Sequence, residues 1–265
     1  MKTAEFFSLH PVFSLGEASR VLAPPGGRPG TLERLKYHLE NGRLKLAARG
    51  VYAVVPPGMK TENFRPDPFL VAAAIRPDGV FSHHSALELL GVAHSVWNQC
   101  TLYTAERRRP LRLDETTIRF LDHPGPLKKG SGVHLGTRKI ERQDKLLPTT
   151  GPERTLIEGF RRPALAGGLE ELVTSAGGFA VLDLGLIEEV LQRYGIANLW
   201  AATGWFLDRF QQVFHVPEEI LTRMERHRPQ SPQYLERDRR GGVLVGRWNL
   251  ILPKELTGRG EPNDS

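Results

Sequence analysis

The stretch Thr31–Val55, TLERLKYHLENGRLKLAARGVYAVV, limits the fold more than any other part of the chain. It prescribes a helix that must stop and a hairpin that must follow. Thr31 suits an N-cap, no proline or glycine follows until Asn41-Gly42, and that pair supplies a left-handed stop. The spacing therefore predicts a helix over 31–41 of about three turns. Because successive side chains rotate by about 100°, Leu32, Leu35 and Leu39 fall within one stripe of roughly 60° and are predicted to pack inward. Arg34, Tyr37, His38 and Asn41 then project from the opposite side. Leu44–Ala48 and Val51–Val55, parted by Arg49-Gly50, predict a two-stranded wing with Arg43, Lys45 and Arg49 at its base and tip.

A helix of this size fits the major groove of a duplex, and a cationic hairpin beside it can lie along phosphates. The same residues would also serve as the solvated face of an ordinary amphipathic helix, so the distribution of charge matters. The formal net charge is +6. Residues 1–60 hold nine Lys/Arg against four Asp/Glu, and residues 101–145 hold eleven against six, a surplus of five in each block. The first block coincides with the helix and wing, which favours an anionic backbone as partner. The second block suits further backbone contact, a protein-binding face or plain solvation.

A chain of 265 residues, 40% hydrophobic and 25% charged, has the composition of a folded globular protein with room for two domains. Its longest apolar runs, Phe69–Ile75 and Val51–Val55, fall far short of the roughly 20 residues of a membrane span. Glu5, His10, Glu17 and Arg20 interrupt any leader-like stretch. The expectation is a cytoplasmic protein with no signal peptide and no span. A single cysteine, Cys100, allows no internal disulfide and no thiolate metal cluster, which fits a reducing compartment.

In chain order, Ala4–Leu9 predicts a helical turn with Phe6, Phe7 and Leu9 facing the core, broken at His10-Pro11, and Val12-Phe13 a brief strand. Ser14 and Glu17 form an S-x-x-E capping box for a helix ending near Leu22. Ala23–Gly30, APPGGRPG, is expected to be irregular. Helix, turn, helix, hairpin is the order of a winged helix-turn-helix, placed at residues 1–58, with Arg28 reaching backbone beside the second helix. Residues 59–67 read as a linker and 68–256 as a larger mixed α/β domain, so the fold class is α/β (α+β). Within it, helices are expected at Phe69–Ile75, His83–Leu90 capped by Ser82, Gly151–Phe160, Gly168–Ser175, Leu184–Tyr194, Asn198–Phe210 and Pro217–His227. Strands are expected at Val80-Phe81, Gln99–Thr104, Thr116–Leu121, Gly132–Leu135, Leu146-Leu147, Val243–Val245 and Trp248–Leu252, before a disordered tail over 257–265. Trp200, Trp205, Phe206 and Phe210 lie at helical spacing and read as core.

Candidates for catalysis are few. Adjacent His83 and His84 diverge on a helix and cannot share one metal face, and with His94 they form no H-x-x-x-H spacing. No G-x-S-x-G is present, and Cys100 has no histidine at a diagnostic distance. Gly130-Ser131-Gly132 lacks the lysine of a phosphate loop. Glu141 and Asp144, with Asp114 and Asp122 upstream, are the one set that could hold Mg²⁺ for a nuclease, although acids interleaved with Arg142 and Lys145 more often form solvated ion pairs. The expectation is no enzyme activity, no metal and no cofactor.

HPVFSLGEA, TLERLKYHLENGRLKLAARGVYAVVPPG, DPFLVAAAIRPDGVFSHHSALELLGVAHSVWN, PERTLIEGF, LAGGLEE and RWNLILP together resemble the AbiEi family of type IV antitoxins and related transcriptional regulators. The resemblance spans roughly Leu9–Pro253. It implies a repressor that binds inverted repeats in its own operator DNA, as paired copies of a chain that can be a monomer in solution. It also implies a cognate nucleotidyltransferase-like toxin, with direct contact left open. The DNA-contacting helix and wing of the family map onto Thr31–Asn41 and Arg43–Tyr52, so that Arg34 and Tyr37 are expected at base edges and Arg28, Arg43, Lys45 and Arg49 at phosphates. Leu46, Ala47 and Ala48 depart from a more basic wing. The alternatives are a winged-helix nuclease using Glu141 and Asp144, and a non-catalytic module whose basic blocks dock an acidic protein.

Overall fold

The structure is a computed structural model that describes residues 2–106, 108–128, 130–236 and 241–257. It begins with α1 (Thr3–Leu9), β1 (Val12–Ser14), α2 (Leu15–Leu22), α3 (Gly27–Glu40), β2 (Leu44–Ala48) and β3 (Val51–Val54). Next come α4 (Pro68–Ile75), β4 (Val80–Phe81), α5 (His84–Leu89), β5 (Gln99–Thr104), β6 (Leu111–Leu113), β7 (Thr116–Asp122), β8 (Thr137–Arg142) and β9 (Lys145–Thr150). The chain continues through α6 (Pro152–Arg161), α7 (Leu169–Ala176), α8 (Leu184–Tyr194), α9 (Ala197–Arg209), α10 (Glu218–Glu225), β10 (Gln233–Tyr234), β11 (Val243–Val245), β12 (Leu250–Leu252) and α11 (Lys254–Thr257). The sheets have strand orders β1-β3-β2, β6-β7-β5-β4-β9-β8 and β10-β12-β11. Among the described residues no helix is long and apolar enough to cross a membrane.

Two compact units result. One gathers Met1–Val80, Asn98–Asp122 and Lys139–Pro148; the other gathers Phe81–Trp97, His123–Arg138 and Thr149–Ser265. The first unit opens as a winged-helix-like element, in which β1 pairs antiparallel with β3 (Val12 opposite Ala53) and β3 with β2 (Leu44 opposite Val54). Phe6, Phe13, Leu15, Ala18, Leu22, Leu35, Leu44 and Tyr52 form its core. Local chemistry sets the ends of its elements. Ser14 Oγ accepts from Glu17 N at 3.1 Å, while the Glu17 carboxylate, rather than closing a reciprocal box, turns to His10 and Lys145. Asp67 Oδ1 accepts from Phe69 N at 2.8 Å and caps α4 behind Pro68 at its first position. In the same unit β7 lies between β6, antiparallel, and β5, parallel, with Cys100 opposite Ile118.

Several sequence expectations are corrected. Helix α3 begins at Gly27, four residues before Thr31, because Gly26 turns the chain with φ 85° and Pro29 falls in the first turn, where no intrahelical N–H is needed. Gly30 is required there, since a Cβ would strike the Pro25 carbonyl. Thr31 is thus inside the helix, its hydroxyl donating to Gly27 O at 3.1 Å. Leu9 is 53% exposed and lies outside the core. Ser82 caps nothing: α5 starts at His84 after His83 at φ 55°. Gly132–Leu135 makes no strand but sits in a 3-10 turn, Gly130–His134, entered through Gly130 at φ 59°. Thr257 closes α11, and the rest of the expected tail lies outside the described residues.

The second unit is mostly helical. Trp200, Trp205 and Phe206 are buried in its core with Phe160, Ile187 and Leu221, and Phe210 packs against them, as their spacing predicted. Trp248 is fully buried, donates its indole N–H to Asp208 Oδ2 at 2.8 Å, and lies against Gly204 of α9 so closely that a Cβ there would overlap the ring. Gly204→Ala is expected to lower stability by about 1–3 kcal/mol through overpacking, read as a shifted midpoint in urea with unchanged slope. An unshifted midpoint would show that the indole has room to move.

Candidate nucleic-acid interface

The buried side of α3 consists of Thr31, Leu35 and His38, a stripe at i, i+4, i+7 spacing. Of the predicted leucine stripe, Leu35 is buried and Leu39 packs half-buried against the same core, so that only Leu32 fails to face inward. Leu32 is 43% exposed, and His38, expected on the free side, is turned inward with its ring edge-on to Phe7 at 4.9 Å. Burial, reinforced by the charges of Arg43 and Arg34, holds the His38 imidazole below its ordinary range. The predicted and observed stripes lie roughly 65° apart around the helix and both contain Leu35; periodicity alone could not choose between them.

The other candidates divide by what holds them. Arg28, Arg34, Tyr37, Asn41, Arg43 and Arg49 are exposed, Tyr37 by 61%. Asn41 is also the C-cap of α3 and donates Nδ2–H to Tyr37 O at 2.7 Å, while Gly42 at φ 65° completes the stop. Gly50, at φ 74°, turns the wing after Arg49. Lys45 behaves differently: its ammonium donates to Phe64 O at 2.7 Å and lies 4.0 Å from Asp114, so it is not presented to solvent as the phosphate role required. Sequence reading also passed over Glu33, Lys36 and Glu40, which the corrected register turns outward. Lys36 and Glu40 approach to 4.0 Å, leaving the cationic character of this surface to the arginines.

Phe64, Arg65, Asp114 and Arg142 line, with Pro11 and Val54, a cleft of about 740 Å³ in the same unit. Arg142 pairs with Asp67 at 2.6 Å, and its guanidinium stacks on Phe69. Gln143 and Asp144 have φ of 48° and 60°, the backbone of a tight turn between β8 and β9, and Glu141 is exposed on β8. In the second unit His83 lies 3.0 Å from Ser82 Oγ, and His84 contacts Glu171 at 3.4 Å while stacking on Trp97. Glu171 also accepts from Ser175 Oγ, His94 N and Ser95 N, which, with the serine bond foremost, keeps its carboxyl below the usual range against the opposing effect of burial. No group of three or more His, Cys, Asp or Glu placed to hold a metal occurs among the described residues.

A winged-helix-like N-terminal element followed by a larger mixed α/β part, with several sheets and helices, is the class of architecture these observations define. No protein-family model matches the chain, and no curated protein matches it. Among solved structures, the crystal structure of the RV2827C protein from Mycobacterium tuberculosis is similar, with a TM-score of 0.64 at 16% identity over 96% of this chain and 93% of that one. At that identity the likeness is one of fold.

Proposed function

We propose that this chain is a DNA-binding regulator of the AbiEi antitoxin type, without catalysis of its own, which represses its operon in the cytoplasm and counteracts a nucleotidyltransferase-like toxin. The observation that carries the DNA reading is the set of exposed arginines, Arg28, Arg34, Arg43 and Arg49, on α3 and the wing beside the exposed Tyr37. A winged-helix element with this charge suits major-groove entry by the helix and phosphate contact by the hairpin. The antitoxin assignment and the toxin as partner rest on the resemblance of the quoted stretches. Thr31 and His38, both buried, have no part in the contact, and Lys45 is assigned below.

The test is binding of the full chain to a duplex carrying its upstream promoter, followed over a range of salt. Arg49→Ala is expected to weaken binding on all sequences and to reduce the log-log salt slope by about 0.9, the value of one released counterion. Arg34→Ala is expected to cost about 1–3 kcal/mol on the operator and far less on random DNA, flattening preference at one base pair. Equal losses on both duplexes would remove Arg34 from base reading, and absence of any shift with the wild-type chain would reject the DNA function.

A further inference from the structure

We propose that Lys45 and Asp114 form a strut that sets the position of the wing; the inference rests on the DNA-binding reading above and assigns Lys45 to positioning, not to phosphate. Lys45 is the second residue of β2, yet its side chain is only 23% exposed. Its ammonium is held between the Phe64 carbonyl, at 2.7 Å, and Asp114 Oδ1, at 4.0 Å. Asp114 stands in the turn joining β6 to β7, at φ 49°, and the same carboxylate oxygen faces Arg65 Nε at 3.7 Å. Arg112 Nε donates to the Asp114 carbonyl at 3.1 Å, fixing the turn from its other side. Beside this, Thr61 Oγ1 donates to the carbonyl of Gly42 at 3.2 Å, where helix gives way to wing. The root of the wing is therefore fastened at two points to the segment over 61–64, and at one of them to a turn far along the chain.

The chemistry explains why the fastening tells on DNA binding. A lysine with its charge shared between a carbonyl and a carboxylate releases few counterions when a duplex docks. What it contributes is direction: β2 keeps its place, and Arg43 and Arg49 on either side of it remain aimed outward. Removing either end of the strut frees the hairpin to wander and lowers the fraction of molecules whose arginines can engage together.

A duplex selected by the wild-type chain from a random-sequence pool serves as the probe. Lys45→Ala and Asp114→Asn are each expected to weaken binding about fivefold while the salt slope stays at the wild-type value, in contrast to Arg49→Ala. The double variant is expected to be no weaker than Lys45→Ala alone, because that change already removes the ammonium that Asp114 faces. Amide exchange in Leu44–Ala48 and Val51–Val54 of the free protein should quicken in both single variants, with the exchange of α8 unchanged. A slope reduced by about 0.9 in Lys45→Ala would make Lys45 a phosphate contact and overturn the proposal. Unchanged affinity together with unchanged wing exchange would overturn it too. If the wild-type chain selects no duplex, the DNA reading fails by itself, and the exchange measurement still decides whether the strut holds the wing.

Discussion

Glu158→Ala is expected to destabilise the second unit by about 3–5 kcal/mol, the cost of leaving a buried charge without its counter-charge. Glu158 and Arg154 lie one turn apart on α6, both fully buried, with Arg154 Nε donating to Glu158 Oε1 at 2.8 Å. The same carboxylate oxygen accepts from Tyr194 Oη at 2.7 Å. Burial, then the charge and hydrogen bond of Glu158, push the Tyr194 phenol well above its ordinary range, so it stays a donor. Arg154 is further held by the carbonyls of Val133 and Leu135, each at 2.9 Å. One carboxylate thus ties α6 to α8, and its neighbour arginine ties α6 to the 3-10 turn. Glu158→Gln keeps an acceptor for the phenol and loses the charge, so it should lie between wild type and alanine. Urea midpoints of the three proteins check this order; alanine and glutamine variants equal to wild type would show that water can replace the carboxylate.

Acidification is expected to unfold the same unit through His83. The imidazole is fully buried and pushed down to about 3, first by desolvation and then by the charges of Arg162, Arg161 and Arg154. In the unfolded chain it would titrate near 6.5. The folded value lies below the unfolded one, so the neutral form is favoured by folding. Its contribution is whole above about 6.5 and falls as the unfolded state alone takes up a proton, by roughly 1.4 kcal/mol for each pH unit down to about 3. Burial lowers His84 as well, despite Glu171 beside it, and adds loss in the same direction. Stability measured across that window should drop less in His83→Asn, which carries no titrating ring and tolerates a positive φ. Parallel curves for the two proteins would assign acid sensitivity elsewhere.

How far a residue's fate could be read from the chain depended on the range of the force that fixes it. The Ser14 cap, the Asn41-Gly42 stop and the Gly50 turn stand where short-range rules put them. The bounds of β5 and α8 also coincide with those read from composition and spacing, because each is a strongly patterned run between breakers. Strands β6 and β8 escaped notice, since Leu111–Leu113 is short and Thr137–Arg142 is mostly polar. Their pairing partners, not their own side chains, make them strands. On α3 and the wing, exposure of Arg28, Arg34, Tyr37, Arg43 and Arg49 followed from sequence, whereas the inward turn of Thr31 and His38 and the capture of Lys45 did not.

By itself the chain determined the succession of helix, stop and basic hairpin, because backbone preference and capping act within about one helical turn. Only the tertiary structure decided which side of α3 would be free. Phe7, far back in sequence, offers a surface that accepts an imidazole, and Leu32 is left outside as a result. It likewise decided that one wing cation would serve as a fastener, since Phe64 and Asp114 reach Lys45 only through folding. Contacts between distant segments are set by packing of the whole unit, and no local pattern encodes which of two nearly equivalent faces that packing will choose.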